Sequence, residues 1–328
     1  MTALEQAGTS VRRFGGGWAR RSEHLVLVAI LALLVVALTV ATPNFFSADN
    51  AIAILRQCAL LLIVGVGMTM LLISGEVDIS VGASMGFTGC VAMDAINRTG
   101  SLELGMAIGI LFAAGVGLVN GLVVTKLRVN SLIATIAMMM ALQGGVFLYT
   151  REAVQNRHHL PEFQSLGAGY LGPFPVPLII AAAIVAVAWV VVQRTKYGRY
   201  LFAVGANEKA ARLSGLRSDR VKLAAFVLTG ALVGVAATIL ASLMNAGQPT
   251  AGRGFELTVI AAVILGGTSL AGGRGTLVGT ILGIFILKVI DNGIIMLRWN
   301  QDWQMIVPGV VIIVATWLDR VRRRANGR

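Results

Sequence analysis

Long apolar runs, separated by short polar clusters, recur from Leu25 to Leu318. They are continuous rather than alternating, which predicts membrane-crossing helices and argues against a membrane β-barrel. Ten spans follow from the pattern, at 24–42, 51–73, 79–96, 103–124, 130–149, 176–193, 221–243, 257–271, 275–290 and 303–318. The expected fold class is an all-α polytopic membrane protein in which one helical bundle, 24–318, takes up nearly the whole chain. A polar tail, 1–23, precedes it, a basic tail, 319–328, follows it, and a long polar loop, 194–220, interrupts it.

Two places break the regularity. The eighth and ninth spans are short, and the Gly-rich "LGGTSLAGGRGTLVG" joins them. Short, Gly-interrupted apolar segments point to a transport pathway. The second place is "TMLLISGEVDISVGASMGF", where Glu76 and Asp78 sit between apolar stretches. A charge at the centre of a membrane helix costs about 2.5–3.5 kcal/mol. The segment is therefore either an aqueous turn or the lining of something polar. Gly82 and Gly86 in "VGASMG" also echo Gly279 and Gly283 in "VGTILG", a spacing that small-residue helix packing explains equally well.

Composition agrees with this reading. The chain of 328 residues is 56% apolar and only 13% charged, against about 25% charged in soluble domains. The net charge of +12 would suggest nucleic acid in a soluble protein. Here it follows the positive-inside rule, and no nucleic-acid partner is expected. Most Lys and Arg residues fall in the N-terminal tail, the 125–129 and 194–220 loops and the C-terminal tail. That asymmetry predicts that both termini and the long loop are cytoplasmic, while 150–175 faces outward. Cys58 and Cys90 lie in apolar segments and read as buried thiols.

No catalytic constellation emerges. Gly267 and Gly272 have phosphate-loop spacing, but Gly273 stands where that motif needs Lys. No cofactor or metal is expected in this chain. Ser80, Asn120, Gln143, Asn245 and Glu256 join Glu76 and Asp78 as polar candidates for a solute pathway. For the amides, helix–helix hydrogen bonding is the competing reading. The 194–220 loop carries a compact helix signal. Asn207 is placed to cap it, Glu208 and Arg212 form an i,i+4 pair, and Gly215 is a suitable stop. Two turns are marginal alone in water, so this helix needs support.

The segments "GEVDISVGA", "NEKAARLSG", "QPTAGRGFELTVIAAVILGGTSLAGGRGTLVGT" and "DNGI" resemble the membrane permease of ribose-type bacterial ABC sugar importers. The likeness runs over nearly the whole chain. It implies an inner-membrane subunit that imports a monosaccharide and works as a dimer with a second copy or a paralogous permease. It further implies a cytoplasmic ATP-binding subunit, which holds ATP and Mg, and a periplasmic sugar-binding protein. Asn207, Glu208, Ala210, Ala211, Arg212, Leu213 and Gly215 would form the segment that docks on the ATPase. One departure is notable. Glu76 replaces a glycine usual in this family, and Ala83 replaces a serine. The rival reading is an ion-coupled secondary transporter of a small polar solute.

Overall fold

The computed structural model describes residues 15–300 and 302–325. Of the two expected tails, residues 1–14 and 326–328 lie outside the described residues. Ten helices correspond to the ten expected spans. They are α1 (Gly15–Ala41), α2 (Ala48–Ile73), α3 (Val81–Thr99), α4 (Leu102–Thr125) and α5 (Ser131–Tyr149), then α7 (Val176–Arg194), α10 (Ser218–Met244), α11 (Phe255–Leu265), α12 (Leu277–Met296) and α13 (Trp303–Ala325). Between α5 and α7 lie β1 (Val154–Gln155), α6 (Pro161–Ala168), β2 (Tyr170–Leu171) and β3 (Phe174–Pro175). Two short helices, α8 (Lys196–Ala206) and α9 (Glu208–Leu213), fill the long polar loop, and β4 (Ala246–Gly247) pairs antiparallel with β1.

Seven of these helices are long and apolar enough to cross a membrane. Burial sorts them into inner and outer members. Some 61% of the apolar window in α2 and in α12 is buried, against 6% in α1 and 22% in α7. The outer helices turn large apolar side chains outward, among them Leu33, Val40, Leu148 and Val187. That surface suits a lipid solvent, where an apolar exterior carries no hydrophobic penalty. The inner helices meet through glycines. A β-carbon on Gly117 would stand 2.3 Å from the Phe226 carbonyl, and one on Gly230 would stand 2.3 Å from that of Ala113. Helices α4 and α10 are thus in backbone contact along their length.

Polar caps mark many helix starts. Ser47, Ser101, Asn130, Thr195, Asn207 and Thr276 each accept a hydrogen bond from a first-turn N–H. Thr276 also bonds His24 at 3.0 Å, joining α12 to α1. Asn50 and Asn292 exchange two amide bonds between α2 and α12.

Three differences from the sequence expectation stand out. Helix α11 stops at Leu265 rather than near 271, because Gly267 adopts φ +87° and the chain leaves the helix there. Its eleven residues reach only about 16 Å, half the roughly 30 Å of a bilayer core. The expected two-turn helix exists as α9, and an unexpected helix, α8, precedes it. The 150–175 loop also holds the short helix α6, fastened by the fully buried Phe163 and by Ser242, which receives the Gly167 N–H.

Candidate functional site

The chain breaks its helical course after α2 and after α11, and the two breaks touch. The first, 74–80, opens with Gly75 at φ +84°. The second, 266–276, carries Gly267, Gly272 and Gly273 at positive φ. The Gly273 N–H donates to the Ile73 carbonyl at 2.9 Å. Helix α8 presses into the same point. A β-carbon on Gly205 would stand 1.8 Å from the Ile73 oxygen and 2.7 Å from Gly273 N. A β-carbon on Gly272 would stand 2.9 Å from the Gly75 Cα. Glycine is required by space at 205, 272 and 273, and by conformation at 75, 272 and 273. This crossing locks both breaks to the end of the bundle that carries the basic loop.

Irregular backbone inside a membrane protein must find partners within the protein. The first break does so. Its Val77 and Ile79 N–H groups donate to Ser131 and Thr135 at the start of α5. Asp78 is only 3% exposed. One carboxylate oxygen accepts from the Ser80 N–H at 2.8 Å and from the Ser80 hydroxyl at 2.6 Å. The other accepts from Asn120 Nδ2 of α4 at 3.2 Å, and the same amide nitrogen donates to Ser80 Oγ at 2.9 Å. Asp78, Ser80 and Asn120 thus close into one buried cluster. Three donors take the place of water around the carboxylate, which is how a carboxylate is retained in an apolar bundle.

Glu76, two residues earlier, points elsewhere. Its carboxylate meets Lys222 Nζ at 2.6 Å, and the same ammonium meets Glu208 of α9 at 2.7 Å. Arg212 bridges Glu208 and Asp219, both at 2.6 Å. These groups line a polar cavity of about 460 Å³ together with Thr125, Arg128, Asn130 and Ser131. Burial would raise the Glu208 carboxyl, but hydrogen bonds and charge from Lys222 and Arg212 outweigh it and hold the group below the usual carboxylate range.

The remaining candidates are dispersed. Gln143 is half-buried on α5. Asn245 ends α10 in the left-handed region, far along that helix from Lys222, and accepts from Asn156. Glu256 is buried in the first turn of α11 and lies against the start of α3, where a β-carbon on Gly82 would stand 2.0 Å from its Oε2. The starts of α3 and α11 therefore meet around one carboxylate, a placement favoured by the positive ends of both helices. In α9, Ala211 turns into the bundle at 5% exposure, whereas Leu213 is 90% exposed and Ala210 is also outward. Lys222, Ser131 and Thr135 escaped the sequence reading. The signal for Lys222 was a lone ammonium at the start of an apolar span. Among the described residues no group of His, Cys, Asp and Glu is placed to hold a metal ion.

Comparison with known proteins gives a consistent result. Residues 50–316 match the family model described as branched-chain amino acid transport system / permease component. The chain is 37% identical to the ribose import permease protein of Escherichia coli over 315 residues, covering 95% of this chain and 97% of the relative. It is 37% identical to the ribose import permease protein of Bacillus subtilis over 291 residues, 88% of this chain and 90% of the relative. It is also 35% identical to the L-arabinose ABC transporter permease protein of Azospirillum brasilense over 315 residues, 95% of this chain and 91% of the relative.

Proposed function

The chain belongs to the branched-chain amino acid transport system / permease component family, and from that premise we propose that it is the membrane-spanning subunit of an ATP-driven importer of a monosaccharide of the ribose or arabinose class. The observation that carries this reading is the likeness to ribose import permeases over 95% of the chain. Import needs an energy source outside this chain. In the proposed assembly, a cytoplasmic ATP-binding subunit with ATP and Mg supplies it, and a periplasmic binding protein delivers the sugar. A second permease copy or a paralogue completes the membrane part.

The proposed orientation places α8 and α9 in the cytoplasm. Lys126, Arg128, Arg194, Lys196, Arg199, Lys209, Arg212, Arg217, Arg220 and Arg274 all lie in segments at that end. Both termini then share the cytoplasmic side of the inner membrane. Helix α9 is the proposed docking element. It is held to the bundle by Ala211 and two ion-pair chains, and it presents Ala210 and Leu213 outward. An isolated six-residue helix would not persist in water. Its anchoring supports a role in contact with another protein and disfavours an ion-coupled carrier acting alone. The sugar route is proposed to run past the meeting helix starts at Gly82 and Glu256, with Gln143 and Asn245 nearer the outer end. It leaves through the polar cavity beside Glu76. Asp78, Ser80 and Asn120 fix the shape of the break along that route.

Purification of the chain together with its proposed ATP-binding subunit tests this reading. The expected result is a stable complex whose ATP hydrolysis rises when sugar-loaded binding protein is added. A chain that forms no such complex, or one whose hydrolysis ignores the loaded binding protein, would refute it.

A further inference from the structure

The ion-pair chain from Glu76 to Glu208 joins two parts that the sequence keeps far apart. Glu76 belongs to the break that holds Asp78, while Glu208 opens α9, and Lys222 of α10 stands between them at 2.6 and 2.7 Å. Glu76 and Lys222 have side chains only 10% and 12% exposed, so water can replace neither partner fully. Glu208 is 35% exposed and forms the outer end of this chain of charges. On the other flank of Glu76, the backbone is pinned. Gly75 is wedged by Gly272, and the Val77 N–H is bonded to Ser131. The break is therefore held firmly on its bundle side, and Lys222 links it by charge to α9. The polar cavity of about 460 Å³ lies directly beside this link and leaves room for the side chains to part.

Resting on the importer reading above, we infer that Glu76 is a positioning residue for energy coupling: through Lys222 it ties the docking helix α9 to the backbone break that carries Asp78. Movement of α9 driven by the ATP-binding subunit then reaches the break through charge, in addition to the packing of α8 against Ile73. Glycine is usual at this position in the family that the sequence resembles. The tie is therefore a feature of this chain rather than a requirement of the fold. Removing either carboxylate frees one end of the link, while Lys222 keeps its other partner.

The test uses the complete importer in proteoliposomes, with sugar uptake and ATP hydrolysis measured on the same preparation and normalised to assembled complex. Glu76→Gln and Glu208→Gln should each lower sugar moved per ATP by roughly fivefold or more. The double variant should match Glu208→Gln alone, which already cuts the link and also frees Arg212 from Glu208. Lys222→Arg, which keeps a cation between the two carboxylates, should retain wild-type coupling. Unchanged sugar per ATP in Glu76→Gln, or a double variant whose loss is the product of two independent losses, would overturn the tie. If Glu76→Gln fails to accumulate, Glu76→Gly, which places the residue usual in the family at this position, gives the decision alone: lowered coupling supports the tie, and wild-type coupling overturns it. Failure of the importer reading is distinguishable, since the wild-type complex would then show no ATP-dependent uptake at all, and the inference would fall with it.

Discussion

Replacing Asp78 by Asn asks whether the buried cluster serves transport or only holds the fold. The substitution keeps size and an oxygen that can accept from both the Ser80 N–H and its hydroxyl, at 2.8 and 2.6 Å in the wild type. It places an amide opposite Asn120 Nδ2, which donates to the second carboxylate oxygen at 3.2 Å. Two donors then face each other, and one charge-assisted hydrogen bond is lost. That bond is worth about 1.5–3 kcal/mol, so the balance holding the break against α4 weakens about ten- to hundredfold. Against a total stability of about 5–15 kcal/mol the protein still folds. We expect near-normal amounts of the Asn variant in the membrane, an intact complex with the ATP-binding subunit, and uptake lowered several-fold. Asn120→Leu removes the same bond and also the one to Ser80 Oγ, so the double variant should be no worse than Asn120→Leu alone. Radiolabelled sugar uptake, paired with membrane quantification, reads all three. Wild-type uptake by the Asp78→Asn variant would refute the reasoning, and disappearance of the protein would make Asp78 a residue of the fold alone.

Other outcomes follow from the same geometry. Leu213→Ala should leave thermal unfolding unchanged, because the side chain is 90% exposed. It should weaken binding of the ATP-binding subunit by roughly tenfold or more if a partner covers it, at about 0.8 kcal/mol per buried methylene; titration of the purified subunits checks this. Gly205→Ala should destabilise by at least about 1–3 kcal/mol, since its β-carbon would stand 1.8 Å from the Ile73 oxygen. Gly144→Ala, with nothing within 4 Å of its β-carbon, should be neutral or stabilising in the same unfolding assay. Glu208 titrates below the ordinary glutamate range, so its anchoring contribution is complete above about pH 4.3 and is lost only as pH falls through the lowered value. Complex formation should therefore be insensitive to Glu208 titration between neutral pH and about 5. A loss in that range that Glu208→Gln abolishes would contradict this.

Much of the architecture was legible in the chain because a membrane helix must satisfy its backbone internally, which forces long continuous apolar runs. The capped start at Asn207, the Glu208–Arg212 pair and the stop at Gly215 were legible because each is a local device within one turn. Helix α8 was harder to see. Its buried residues Gly198, Leu201 and Val204 recur at helical spacing, but they lie among charged and aromatic neighbours that read as loop. The grouping of polar residues was not legible at all. Glu76 and Asp78 are two positions apart, yet one joins α9 and the other α4. Only the path of the break decides that, and the path is set by glycines meeting across three segments.

The central claim is that this chain moves a monosaccharide inward at the expense of ATP. The most direct measurement is uptake of labelled ribose and arabinose into proteoliposomes that hold the permease, its ATP-binding subunit and enclosed ATP, with the binding protein outside. The account predicts accumulation of at least one of these sugars that stops without ATP or without the binding protein, and that persists when ionophores collapse proton and sodium gradients. Uptake that proceeds without the ATP-binding subunit and follows an imposed ion gradient would contradict it.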